Sequence, residues 1–380
     1  MIINRNNTVL FSLKPYLFLL VLMPLFFHSS LYAKGKKQRK EQKWKLEVGQ
    51  AFIYDSNILK YSEKYINRFK NGINNGRFHI NTYDDLSLYS SLRISYRFRI
   101  FGKLKTRISG NASRRTYIVN NIKTWSQIGI GFQQYFTKKA SFKLFYSYIP
   151  EFYVRHFRDE DWVEVYGYTP ETFQPFSFSK NHYGFWVQNT FSRATKLRAS
   201  VTYAQYYHNQ HYTEYDSKNL TLGLSIYQRI NKLFEVMCAY QFITSRAKAY
   251  DVATETIDNS THADASYEED KFFLGFKVRL PEVLKRKNNF HLRASYGKRY
   301  YSSKRYLELD RLHAGRVDDN LRIYATYNLM VLNNLKVSTY YYWFQRSSFT
   351  SAELNKNYLS NEKNYHQYQI GFEIVYNLKI

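Results

Sequence analysis

The sequence predicts an all-β chain, folded as a single transmembrane antiparallel up-and-down β-barrel of about 14 strands. Three observations carry this. Apolar and polar side chains alternate with a period of two from residue 44 to the end, the mark of strands whose two faces meet different surroundings. The alternating runs are about ten residues long, enough to cross a bilayer at a tilt. The links between them are short and long in strict turn, an order for which a soluble sandwich has no use.

The stretch DDLSLYSSLRISYRFRI (84–100) shows the pattern most plainly. Leu86, Leu88, Leu92, Ile94, Tyr96, Phe98 and Ile100 share one face, and Ser87, Ser91, Arg93, Ser95, Arg97 and Arg99 share the other. Before it, Trp44, Leu46, Val48 and Phe52 mark a first strand at 44–52. After it, strands are expected at 104–112 (Leu104, Ile108, Ala112), 128–136 (Ile128, Ile130, Phe132) and 142–148 (Phe142, Leu144, Tyr146). The next are at 183–191 (Tyr183, Phe185, Val187), 197–203 (Leu197, Ala199, Val201), 220–226 (Leu220, Leu222, Leu224) and 234–242 (Phe234, Val236, Cys238). The last five are at 272–280 (Phe272, Leu274, Phe276), 290–296 (Phe290, Leu292, Ala294), 321–329 (Leu321, Ile323, Ala325), 335–343 (Leu335, Val337, Tyr341) and 368–380 (Tyr368, Ile370, Phe372).

Short links are expected at 101–103, 137–140, 192–195, 230–232, 281–289 and 330–334, and long ones at 55–83, 114–123, 151–180, 207–217, 247–270, 300–318 and 346–364. This is the plan of short periplasmic turns and long external loops. An even strand number puts both ends of the barrel on the turn side and lets the first strand pair with the last, leaving no edge. Aromatic residues fall at both ends of the strands, with Tyr96, Phe98, Phe136, Phe142, Phe191, Phe234, Phe290 and Tyr376 near the turns. Tyr54, Tyr148, Tyr183, Tyr203 and Trp343 fall near the loops, so the two sets form the interfacial girdles of a membrane barrel.

The chain divides into an expected signal peptide at 1–33, a basic segment at 34–42 and the barrel at 43–380. PYLFLLVLMPLFF (15–27) is an apolar core behind Arg5 and Lys14, and Ala33 supplies a small residue before a cleavage site. The only cysteine is Cys238, so stability in an exported chain comes from the closed sheet and not from disulfides.

On these residues the sequence resembles bacterial outer-membrane β-barrel proteins over residues 43–380. YQIGFEIVYNLKI (368–380) is similar to the C-terminal signal read by the barrel-assembly machinery, with Ile380 standing where the family usually has Phe or Trp. AFIYDSNI (51–58) resembles a turn of the barrels that end surface-lipoprotein assembly modifiers. The helical-repeat domain of those modifiers has no counterpart here, so the resemblance implies the architecture and not that activity. It also implies a place in the outer membrane, with lipid and lipopolysaccharide as partners.

The face opposite the apolar one carries Arg93, Arg97, Arg99, Lys105, Arg107, Lys143, Arg198, Lys277, Arg279, Arg293, Arg322 and Lys336, with few acids such as Glu47, Glu235 and Glu373. On the lipid face each cation would cost about 2–4 kcal/mol at mid-membrane, so they are expected to line the lumen, most of them toward the turns. A basic lumen favours anions and inward aromatics favour sugar rings, so the expected function is a channel for passive diffusion of small anionic or sugar-like solutes. The same cations also serve a barrel that only fills its interior with polar groups, plugged by residues 151–180 or by the N-terminal segment. Inward aromatics, among them Tyr89, Trp125, Phe145, Trp186, Tyr206, Tyr340, Tyr342 and Phe344, either stack on sugars or fill space.

The acidic loop stretches RDEDWVE (158–164), DVATETIDNSTHADASYEED (251–270) and ELDRLHAGRVDD (308–319) are expected to be solvated, with no calcium-loop spacing. His208, His211, Glu214 and Asp216 crowd one loop and are the place where a third reading, a surface-loop enzyme, would act, but the spacing matches no metal or catalytic motif, so no cofactor, metal or catalytic residue is assigned and no enzyme is expected. The net charge of +26 is a property of the lumen face of an exported chain, which excludes nucleic acid as its partner.

Overall fold

A computed structural model describes residues 43–73, 75–100, 104–283 and 285–379. The expected signal peptide, the basic segment at 34–42, the turn at 101–103 and Ile380 lie outside the described residues. Fourteen antiparallel strands close into one barrel, each paired with its sequence neighbours and the first with the last. They are β1 (Trp44–Asp55), β2 (Asp85–Arg99), β3 (Lys105–Tyr117), β4 (Trp125–Tyr135), β5 (Ala140–Arg158), β6 (Phe173–Thr190) and β7 (Thr195–His208). The second half is β8 (Ser217–Arg229), β9 (Phe234–Ala247), β10 (Tyr267–Val283), β11 (Arg286–Tyr301), β12 (Arg316–Met330), β13 (Leu335–Thr350) and β14 (Tyr365–Lys379). Among the described residues three short α-helices sit in the long loops: α1 (Glu63–Lys70), α2 (Glu160–Tyr166) and α3 (Glu353–Lys363).

The register keeps like faces together. Val48 lies opposite Leu92 on one side and Tyr376 on the other, so the outward residues form continuous rows across the β1–β14 closure. Outward Phe52, Ile130, Leu274 and Ile370 remain 43–65% exposed, while inward Asp318 and Asn320 are fully buried. The core is thus inside out, apolar toward the surroundings and polar within, as the architecture of a membrane-spanning barrel demands. Where the alternation lapses, the polar groups on the outer face bond each other. Ser90 Oγ donates to Gln50 Oε1 at 2.7 Å, and Thr106 Oγ1 donates to Gln134 Oε1 at 2.6 Å.

The aromatic girdles form as expected. Tyr96 packs on Trp44 and Phe98, and Phe142 packs on Phe136 and Phe185, at the turn end. At the loop end Tyr183 packs between Tyr146 and Tyr203, while Tyr54 and Tyr296 donate their hydroxyls to Asp84 and Asp319.

Several strands run a few residues past their expected ends, as β3 does to Tyr117 and β13 to Thr350, and two links differ more. Residues 151–180 are mostly strand and not loop, because β5 and β6 absorb irregularities near Ile149–Phe152 and Tyr153–Arg155 and stay paired as far as Arg158 opposite Phe173. The link at 281–289 is much tighter, since pairing runs on to Val283 opposite Arg286, and Lys285 takes a φ of 57° in the turn.

Two inward glycines are required by ring packing. Phe145 lies so flat against Gly184 that a Cβ there would sit 2.0 Å from its ring, and a Cβ on Gly371 would sit 2.2 Å from the ring of Tyr340. The face that each ring turns to its glycine is covered, while Tyr340 still lines the interior chamber. Gly184→Val is expected to cost about 1–3 kcal/mol by overpacking. Denaturant unfolding of the refolded barrel checks this, and adding Phe145→Ala should restore most of the loss.

Candidate functional site: a basic chamber under a folded mouth

Strand parity puts all the sequence-predicted cations on the inward face, but the structure does not gather them into one ring. Arg97 lies opposite Arg107 and Arg99 opposite Lys105 beside the β2–β3 turn. Arg279, opposite Asn289, and Lys336, opposite Met330, hold equivalent places near their own turns. Several are already engaged. Arg93 bonds Glu47 at 3.1 Å, Lys336 bonds Glu373 at 3.3 Å, and Arg198 donates to Gln188 over the ring of Trp186. Lys143 runs along the space left by Gly131, and Lys277 follows Gly275 on the inner face of β10.

Toward the loops the interior opens into a chamber of about 680 Å³. Its wall includes Arg293 and Arg322 together with four cations the sequence reading did not select: Lys60, Arg115, Lys123 and Lys271. The carboxylates on that wall are Asp55 and Glu373. Arg115 and Lys271 were legible by the same parity that selected Arg107 and Lys277. Lys60 and Lys123 sit in connections, where parity says nothing.

The roof of the chamber is the first long loop. Ile58, Leu59, Tyr61 and Tyr65 leave β1 and bury themselves against Ile80, Tyr117 and Tyr153 in one apolar cluster. Such a loop cannot stay in water without exposing these side chains, so it folds inward. Asn57 fixes its start, accepting from the Tyr61 amide at 2.8 Å and donating to the carbonyls of Tyr61 and His366. Arg155 donates to the Lys60 carbonyl at 3.1 Å and lies over the Tyr61 ring. From α3, Glu362 bonds both Lys64 and Tyr65 of α1. Lys123 is buried beneath, donating to the Tyr153 carbonyl at 2.7 Å. The loop that roofs the chamber is therefore the one after β1, whose Ile58, Leu59 and Lys60 line it, while most of 151–180 is taken up by the paired ends of β5 and β6.

The other long loops knit together above it. The acids expected to be solvated are in part buried: Asp159, Asp264 and Asp310 are at most 5% exposed. Asp159 caps α2 and meets His211 Nδ1 at 2.7 Å, and Asp310 accepts from Ser303 and the Asp264 amide. Arg305 donates to the carbonyls of Ala249, Ile257 and His262. The His208 amide donates to Asp216, so the histidine-rich loop is held by its own acids. Asp161, Asp251 and His262 come within 4.8 Å of one another from two separate loops, a grouping that linear spacing conceals.

No protein-family model matches the chain, and no curated protein matches it. Among solved structures it is similar to the outer membrane channel DcaP of Acinetobacter baumannii, at 8% identity over 91% of this chain and 100% of that one, with a TM-score of 0.44. OmpT, an outer membrane protein of Vibrio cholerae, matches at 9% identity over 90% and 99%, with a TM-score of 0.44. OprD of Pseudomonas aeruginosa matches at 9% over 92% and 97%, with a TM-score of 0.38. At such identities and TM-scores the likeness brings neither solute nor activity to this chain.

Burial pushes the Glu214 carboxyl up to about 8, opposed by its own backbone amide and reinforced by Asp251, Asp161 and Asp159. The raised value means the folded loop keeps a proton that the unfolded chain releases from pH 4.5 upward, so the loop is most stable below 4.5 and loses stability up to about 8. Amide exchange across 208–217, corrected for intrinsic rate, should show more opening at pH 9 than at pH 5. Glu214→Gln should abolish that difference.

Proposed function

We propose that the protein is a bacterial outer-membrane channel that passes small anionic solutes through a basic lumen, with residues 56–84 narrowing its external mouth. The observation that carries this reading is the chamber wall, where six cations face two carboxylates. Cations inside low-dielectric walls raise the local concentration of anions. The cations beside the turns continue the same charge toward the periplasmic end, so an anion meets favourable potential at both ends of its path. The outward apolar rows meet lipid, and the external loops meet lipopolysaccharide. β14 supplies the strand for the barrel-assembly machinery, with Tyr376 and Leu378 on its lipid face.

A second reading is favoured by the apolar cluster of Ile58, Leu59, Tyr61 and Tyr65, which fills the mouth as a plug would. It makes the barrel a non-conducting structural or assembly protein. Planar-bilayer recording of the refolded barrel under a salt gradient separates the two. An open channel gives anion-selective current, and replacing Arg97, Arg99 and Arg107 by Ser lowers that selectivity. Deleting residues 60–79 should raise conductance several-fold. Silence from the correctly folded barrel, with current appearing only after that deletion, supports the plug.

A further inference from the structure

We infer that the chamber holds a small organic anion, an oxyanion carried on a flat ring, with the charged group bound by Lys271, Arg293 and Arg322. The inference rests on the reading of the lumen as a place for anions, though not on conduction.

The three cations come from three consecutive strands. Ser295 of β11 lies opposite Phe273 of β10 and Arg322 of β12. Arg293 is two residues from Ser295 on the same face, and Lys271 is two residues from Phe273. Cross-strand partners stand about 5 Å apart, so the three charged ends can converge on one group in front of Ser295.

The carboxylates of this region are committed elsewhere. Glu269 bonds Arg299 at 2.7 Å, Glu373 bonds Lys336, and Asp55 takes Arg115 at 3.5 Å together with Gln367 and Gln369. Among the described residues Lys271, Arg293 and Arg322 have no carboxylate partner, and Arg322 Nη1 is buried with no acceptor at all. A buried charged donor left unmade is costly, and three like charges on neighbouring strands compound it. An oxyanion relieves both.

The rest of the wall suits a ring. Phe273, Tyr324 and Tyr342 flank the cations, and across the lumen Tyr89, Trp125 and Phe152 line the facing strands. The chamber volume falls within the range of about 300–1,000 Å³ usual for small-molecule sites.

Calorimetric titration of the full refolded barrel with benzoate, and separately with acetate, tests this. Benzoate should bind saturably at one site, with acetate at least about tenfold weaker. Arg322→Gln should weaken benzoate about tenfold, the loss of one charge-assisted hydrogen bond. Arg293→Gln should do the same, and serves if the first variant does not fold. The Arg97, Arg99 and Arg107 replacements, beside the turn, should leave benzoate affinity unchanged. Equal binding of the two acids, or unchanged benzoate affinity in a folded Arg322→Gln or Arg293→Gln barrel, overturns the inference. Benzoate binding in a barrel that passes no current keeps the site and discards the channel. Current without benzoate binding does the reverse.

Discussion

A chain that spans a bilayer must pair every backbone amide and carbonyl within itself, and here that requirement is met by the join between β1 and β14. The pairing is unbroken from Lys45 opposite Lys379 to Asp55 opposite Gln369, so no strand is left as an edge. The join also fixes parity for the whole sheet. A slip of one residue in β2 would carry Arg93, Arg97 and Arg99 to the lipid side, each at a cost of about 2–4 kcal/mol mid-membrane, and would bring Leu92 and Ile94 into the interior. Register and side-chain placement are therefore one decision.

Turning a protein inside out moves its packing problem to the polar side. Most inward groups are settled by neighbours: Arg316 grips Asp318, Arg299 grips Glu269, and Asn328 joins Asn289 to Ser338. The apolar cluster at the mouth is a small conventional core, made mostly of loop and closed by Tyr117 of β3 and Tyr153 of β5. Between that cluster and the turn-side cations lies the stretch of wall where, among the described residues, Lys271, Arg293 and Arg322 have no ion-paired carboxylate of their own.

The barrel was almost wholly legible in the sequence because a period of two, repeated through fourteen runs, is a dense signal with one physical cause. The inward cations were legible for the same reason, as residues sharing parity with serines and not with leucines. Ends of strands were less so: Phe152, Tyr153 and Arg155 read as loop because two irregularities reset the alternation, and Lys285 read as loop because a polar run hides a tight turn. The chamber roof was not legible at all. Ile58, Leu59 and Tyr61 carry no periodicity, and their burial depends on Tyr117 and Tyr153, which come from other hairpins. Lys60 and Lys123 entered the wall by that same route.

The loop that roofs the chamber springs directly from the join. Asp55 accepts from Gln367 and Gln369, the Ser56 amide donates to the Tyr368 carbonyl, and Asn57 reaches the His366 carbonyl. Its first residues are thus anchored on the strand made last, more than three hundred residues away along the chain. Ring closure over that distance carries the largest loop entropy in the molecule and belongs to the end of folding. Until then the roof has only half its attachment, and an assembling barrel stands open at the top. The mouth gains its roof by the act that completes the cylinder, so a chain stalled before its final strand would be at once unzipped and uncovered.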